Sequence, residues 1–392
     1  MFFCPGGFGR LNGGMRVAVT RPLAQQSNPP PYVSARRARL TLFEDEPLRL
    51  ECGAELGPIV VAVESWGPPN PDRAVLVCHA LTGDAHAARH GPDDRPGWWD
   101  VYVGPGRALD TNRYWVLCTN VLGGVAGTTG PGSPGPTGEP WGLAFPLVTV
   151  RDMVRVQEAA LRVLGVERLL LTTGGSLGGM QALEWAALFP DRVRAVAAIG
   201  ATDRLSAMGI GLNAVQREAL LLGLKHGDPA GGMRTARMLA MLSYRSAVHF
   251  ATRFGRALQP GSDLLQPDYE PRFAIESYLR YQGDKLAARF NAWSYLTLSR
   301  AMDLFDLWAD REPGRGIQAH IHLAAITTDW LFEPQDIERL ANLIRQHGGR
   351  ADYTLIDSPL GHDAFLIEHP DIAAWLARAV RSAERQAVSA LS

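Results

Sequence analysis

The 392-residue chain carries 39 Lys and Arg against 40 Asp and Glu, a formal net charge of -1. Such a balance gives no electrostatic reason to expect nucleic acid or an anionic membrane as partner. Hydrophobic residues make up 46% and charged residues 20%, ordinary for a soluble globular chain with room for one large domain carrying an insertion, or for two. No apolar run approaches the roughly 20 residues that span a bilayer. Cys4, Cys52, Cys78 and Cys118 make no C-x-x-C pair and no zinc-finger spacing, so no metal centre is expected. Cys78 and Cys118 lie in apolar runs and read as small core residues, which fits a reducing compartment such as the cytoplasm.

Residues 1–31 are rich in Gly and Pro and lack the basic-then-apolar order of a signal peptide. The spacing reads as a flexible leader over residues 1–35, with Met15 an alternative start. Residues 41–50 and 59–66 read as early strands. Residues 74–78 (AVLVC) and 114–119 (YWVLCT) are almost unbroken apolar runs, as expected of strands buried on both faces. The polar loop between them holds His79, Gly83, His86 and Gly97. Residues 121–142 are crowded with Gly and Pro, a long loop of the kind that usually serves function.

A helical period over 150–164, a strand at 168–172, a Gly-rich turn, a helix at 180–188 and a strand at 193–199 come next. Helix-like segments then dominate residues 205–307. Strand and helix alternation resumes at 320–326, 336–345 and 353–356, and a helix from residue 370 closes the chain, polar or frayed after Ala379. This order predicts an α/β core over 36–204 and 308–392, with a mostly parallel central sheet, interrupted by a helical lid over 205–307.

The strongest local signal is Gly174-Gly175-Ser176-Leu177-Gly178, a G-x-S-x-G sequence between a strand and a helix. A serine in a strained turn needs small neighbours so that strand and helix can approach. The turn lifts Oγ to the edge of the sheet, and the N–H of Leu177 faces a developing oxyanion. No lysine follows that would make a phosphate loop.

The base of such a nucleophile must follow the last strand, and among ten histidines His362, in Leu360-Gly361-His362-Asp363, is placed there. The acid should end the preceding strand. Asp329 does so; Glu333, at the start of a helix, and Asp357 are rivals. The second oxyanion donor is expected from the loop after an early strand, and Leu81 is the candidate. His79 and His86 have no carboxylate or cysteine at ligand spacing and read as loop packing.

With these pieces assembled, the chain resembles the homoserine O-acyltransferases of the α/β-hydrolase superfamily. The resemblance runs through CHALTGDAHA, GWWDVYVGPGRALDTNRYWVLCTNVLGG, GTTGP, GGSLGGMQALEW, NAVQREA, YRS, ESYLRYQGDK, SYLTLSRAMDLFD and GHDAFL. Generic esterases share only the serine turn and the triad. The resemblance implies an α/β-hydrolase fold, a triad of Ser176, Asp329 and His362, and oxyanion donors at Leu81 and Leu177. It also implies that Arg217 in NAVQR meets the homoserine carboxylate, that Asp363 meets the amino group, and that Tyr244 lies in an active-site-facing segment.

An amino acid needs a cation for its carboxylate and an anion for its ammonium, which agrees. The implied activity is O-acetylation of L-homoserine in methionine biosynthesis, by a ping-pong route through acyl-Ser176. Acetyl-CoA is a substrate, there is no permanent cofactor, and the enzyme is a homodimer. A succinyl donor, serine as acceptor, or a plain esterase or thioesterase are the alternatives. The chain departs from the family pattern at residues 62–66, at Val125, Ala126 and Leu177, and at Asn291-Ala292-Trp293; none of these touches the triad, and those nearest the serine turn and the lid bear on which acyl group is carried.

Overall fold

The computed structural model describes residues 15–18 and 36–389. Nine strands among them form one sheet: β1 (Met15–Ala18), β2 (Arg37–Leu42), β3 (Ile59–Trp66), β4 (Ala74–Cys78), β5 (Trp115–Thr119), β6 (Leu169–Gly175), β7 (Val193–Ile199), β8 (His320–Ile326) and β9 (Ala351–Ile356). Their order is β1-β2-β3-β5-β4-β6-β7-β8-β9. β3 runs antiparallel to β2 and β5, and every other neighbouring pair is parallel. The helices are α1 (Val150–Val163), α2 (Leu177–Leu188), α3 (Ala207–Lys225), α4 (Pro229–Tyr244), α5 (Ala247–Arg253), α6 (Ala274–Ala287), α7 (Ala292–Asp303), α8 (Pro334–Gln346) and α9 (Pro370–Ser389).

The unbroken apolar runs follow from helices covering both faces of the sheet. Along β4, Ala74, Leu76 and Cys78 join the core that holds α1, α2 and α8. Val75 and Val77 join the other core, against Trp99, Tyr102 and α9. β7 divides in the same way, with Val196 and Ala198 on one side and Ala197 and Ile199 on the other. Cys78 and Cys118 are buried free thiols.

Two expectations at the N-terminal side differ. Residues 41–50 are not one strand: β2 stops at Leu42, Phe43 takes a positive φ of 58°, and the chain turns before Pro47. Met15–Ala18, placed in the leader by composition, pairs in parallel with β2 and covers an edge that would otherwise expose unpaired backbone groups. The rest of the leader lies outside the described residues.

Helices α3 to α7 fill the chain between β7 and β8. Four of them start at a side chain that accepts a backbone N–H: Ser206, Asp228, Ser246 and Asn291. Asp203 clamps the two ends of this insertion together. Its carbonyl accepts from Leu307 N at 2.8 Å, and its carboxylate accepts from Trp308 Nε1 at 2.9 Å and Arg339 Nη2 at 2.7 Å. No helix among the described residues is long and apolar enough to cross a membrane.

Candidate active site

β6 runs directly into Ser176, and α2 starts at Leu177. Ser176 is buried, with φ 57° and ψ -126°, a conformation that costs a non-glycine residue about 1–3 kcal/mol. Its N–H holds the turn by donating to Ile199 O at 3.1 Å. The flanking glycines are sterically required. A Cβ on Gly174 would stand 2.4 Å from Cys78 O, and one on Gly178 only 2.1 Å from the same oxygen. The turn is thus pressed against the end of β4.

That end of β4 leads to Leu81. Neither the Leu81 N–H nor the Leu177 N–H has a hydrogen-bond acceptor among the described residues. His79 braces the Leu81 loop: its Nε2 accepts from Val121 N at 3.2 Å, which leaves Nδ1 to donate to Ala80 O at 2.9 Å. Burial pulls His79 below the ordinary histidine range, consistent with this neutral ring.

His362 sits in the loop after β9, and its Nδ1 lies 2.7 Å from Asp329 Oδ2. The other carboxylate oxygen of Asp329 accepts from Leu331 N at 2.9 Å and Phe332 N at 3.0 Å, so Asp329 is fixed by the turn after β8. The His362 ring is stacked on Phe332 at 5.1 Å, and Phe365 meets it edge-on at 5.4 Å. His362 Nε2 is buried and has no partner. Burial lowers the affinity of His362 for a proton. The Asp329 charge and hydrogen bond, with the Asp363 charge, more than offset this and hold its pKa above 6.5. A Cβ on Gly200 would lie 3.1 Å from His362 Cε1, so His362 packs against the chain just after β7, next to Ile199, whose carbonyl holds the Ser176 N–H. The rival acids stay outside: Glu333 and Asp357 are exposed and neither touches His362.

Residues 73–369 match the alpha/beta hydrolase fold family. A homoserine O-acetyltransferase of Symbiobacterium thermophilum is 48% identical over 374 residues, covering 91% of this chain and 98% of the relative. The chain belongs to the homoserine O-acetyltransferase family. A homoserine O-succinyltransferase of Magnetococcus marinus is 44% identical over 83% of this chain and 90% of its own. The crystal structure of homoserine O-acetyltransferase from Bacillus anthracis superposes with a TM-score of 0.81 over 88% of this chain and 97% of that one; at 23% identity this shows the fold alone.

Within this family fold the polar groups beside the triad can be placed. Asp363 Oδ2 forms an ion pair with Arg245 Nη2 at 3.1 Å, and Arg245 Nε is buried without a partner. Gly361 lets the α4–α5 turn approach, since a Cβ there would meet Ser246 N at 2.6 Å. Trp330 Nε1 donates to Arg245 O at 3.3 Å, and Ser246 Oγ to Pro359 O. Tyr244 tilts against His362, with ring centroids 5.8 Å apart.

Arg217 lies on α3. Its Nη2 pairs with Asp303 on α7 at 2.5 Å, Asn213 donates to the same carboxylate, and Nη1 is buried and unpartnered. Arg245, which the motif reading did not single out, stands beside Tyr244 in YRS. Its signal was a lone cation in the apolar stretch LSYRSA.

One other expectation changes, and the long loop can be placed. His86, read as loop packing without a carboxylate, has one: its Nδ1 lies 2.7 Å from Glu64 Oε2, and His90 Nε2 lies 2.8 Å from the same oxygen. Arg37 also reaches Glu64 and Asp94, so the cluster is an internal charge network. The Gly-rich loop 121–142 hydrogen-bonds along β3: Thr128 Oγ1 accepts from Ala62 N and Thr129 Oγ1 from Val60 N, both at 2.9 Å. A cavity of about 820 Å³ lies under it, lined by Arg39, Trp141 and Asn291 among others, and no triad residue borders that cavity.

Proposed function

We propose that this protein transfers an acetyl group from acetyl-CoA to the hydroxyl of L-homoserine, a step of methionine biosynthesis, through an acyl-Ser176 intermediate. The observation that carries the acceptor is the Arg245–Asp363 pair, one residue from His362. An α-amino acid presents carboxylate and ammonium on one carbon. An arginine and an aspartate side by side match both charges, and a plain esterase has no use for them. Arg245 therefore takes the carboxylate role that the resemblance assigned to Arg217, and Asp363 takes the ammonium.

In the first half-reaction His362 Nε2 accepts the Ser176 proton as Oγ attacks the thioester carbonyl. Asp329 stabilises the imidazolium. The N–H groups of Leu81 and Leu177 receive the oxyanion, and His362 returns the proton to the leaving thiolate. In the second half-reaction His362 takes the homoserine hydroxyl proton, that oxygen attacks the acyl carbon, and Ser176 Oγ leaves with the proton. The reaction as written uses no permanent cofactor.

A succinyl donor is the second reading. Arg289 Nη1 donates to Thr82 O, next to Leu81, at 2.9 Å, and Arg237 lies over the Tyr244 ring at 5.3 Å. Among the described residues neither arginine is in an ion pair, so a terminal carboxylate on the acyl chain has cations within reach.

The same reading includes a cytoplasmic homodimer. Met208, Val215 and Leu222 are exposed at seven-residue spacing, which puts them on one stripe of α3. Light scattering on the purified chain tests this; a monomer at micromolar concentration overturns it.

The activity test follows thiol release from acetyl-CoA and succinyl-CoA, with and without L-homoserine. Without acceptor, release should stop near one equivalent per site; homoserine should restore steady turnover and give an O-acyl product. Equally fast release without acceptor makes the protein a thioesterase. Ser176→Ala should remove even the first equivalent.

A further inference from the structure

We propose that His320, His322 and Asp352 form a binding site for a divalent first-row metal ion such as zinc. His320 and His322 are two residues apart on β8 and therefore share a face of the sheet. Their ring centroids are 4.1 Å apart. Asp352 lies on β9 in register with His322. Its Oδ2 stands 2.9 Å from His320 Nε2 and 3.0 Å from His322 Nδ1. The three ligand atoms lie within 4.8 Å of one another.

Zinc ligands about 2.0–2.1 Å from the ion at tetrahedral angles stand about 3.4 Å apart. Small side-chain rotations would open the cluster to that spacing. The strands themselves need not move.

The surroundings suit a metal better than a simple hydrogen-bonded trio. Two imidazoles share one carboxylate oxygen, and both have a ring nitrogen aimed at the same point. Ser382 Oγ lies 3.5 Å from His320 Nδ1, placed to accept that proton once Nε2 takes an ion. A surface cavity of about 530 Å³ borders all three residues and leaves room for water ligands. Among the described residues the only ion-pair partners of Asp352 are the two imidazoles. Arg345, Arg378 and Arg385 also line the cavity; Arg345 directs its hydrogen bonds to Ala351 O and Asn342 Oδ1. The Glu64 cluster lacks this vacancy, because Arg37 reaches into it.

The site is at the opposite end of β8 from Asp329, roughly 20 Å away at about 3.3 Å per residue. A bound ion would tie β8 to β9 without touching the reaction. It would therefore act on stability.

The experiment titrates chelator-stripped, full-length protein with zinc by calorimetry, and with cobalt by visible absorption. One equivalent should bind and raise Tm. Asp352→Asn should weaken binding by at least the roughly 10–100-fold that a change even outside the ligand shell costs, and acyl transfer should stay unchanged. Because the Asp352 side chain is 59% exposed, this variant keeps its fold even if substitutions at buried His322 do not. His320→Ala serves as the second variant. Absence of saturable one-equivalent binding by the wild type, or undiminished affinity in Asp352→Asn, overturns the proposal.

Discussion

Arg245 and Asp363 form an ion pair 3.1 Å long that joins the α4–α5 turn to the loop carrying His362. Both side chains are mostly buried, and Arg245 keeps a spare buried donor at Nε. Arg245→Ala should therefore cost the acceptor half-reaction roughly 2–5 kcal/mol. The acylation burst should survive, while kcat/KM for L-homoserine falls. Arg245→Lys should recover little, because the planar fork is lost. Arg217→Ala should act through Asp303, lowering Tm more than it changes the KM for homoserine. Equal loss of acylation and transfer in Arg245→Ala would remove its assignment.

The pH dependence has a definite sign. The folded protein holds the His362 proton more tightly than an ordinary histidine, and catalysis needs the neutral ring. The acid limb of kcat/KM should therefore have its midpoint above 6.5. Asp363→Asn removes a negative charge that favours the imidazolium, so the midpoint should move down even though the rate also falls. The linked stability is fully present below the unfolded pKa and is lost as pH rises through the folded one. An unshifted midpoint in Asp363→Asn would show that its charge does not reach the ring.

Gly178→Ala tests the nucleophile turn by steric means alone. The added methyl would sit 2.1 Å from Cys78 O, a backbone atom that cannot rotate away. Overpacking of this kind costs about 1–3 kcal/mol or more. Calorimetric Tm should drop and acylation should slow, because relief requires α2 to move away from β4. A wild-type Tm would contradict the close approach.

Asp203→Ala tests the clamp at the base of the insertion. It leaves the Trp308 indole N–H and an Arg339 hydrogen bond without their acceptor. About 1–3 kcal/mol should be lost through the unpaired buried donor, with little from Arg339, which is 45% exposed. Burial alone would raise the Asp203 pKa, but Arg339, Trp308 and Thr202 hold it below 3.8. Its contribution is thus present above that value and lost as pH falls through the folded pKa. The difference in unfolding midpoint between wild type and variant should be largest at pH 7 and shrink as the pH falls below 3.8.

The chain order of residues determined much of this protein by itself. The bounds of β4, β7 and β8 could be read directly because both faces of those strands are buried, so the apolar run and the strand coincide. The nucleophile turn was legible because its requirements are local: three positions, a strand before and a helix after. Asp329 and His362 followed from chain order on a doubly covered sheet. What remained hidden depends on distances across the fold. Glu64 lies 22 residues before His86, and only the antiparallel insertion of β3 beside β5 turns its carboxylate toward that ring. Arg217 stands on α3 between Gln216 and Glu218, and Arg245 in the turn between α4 and α5. Their sequence surroundings do not distinguish them. The tertiary structure sets them in different surroundings: Asp303 on α7 pairs with the Arg217 guanidinium, while Gly361 lets the backbone at Arg245 approach the histidine loop.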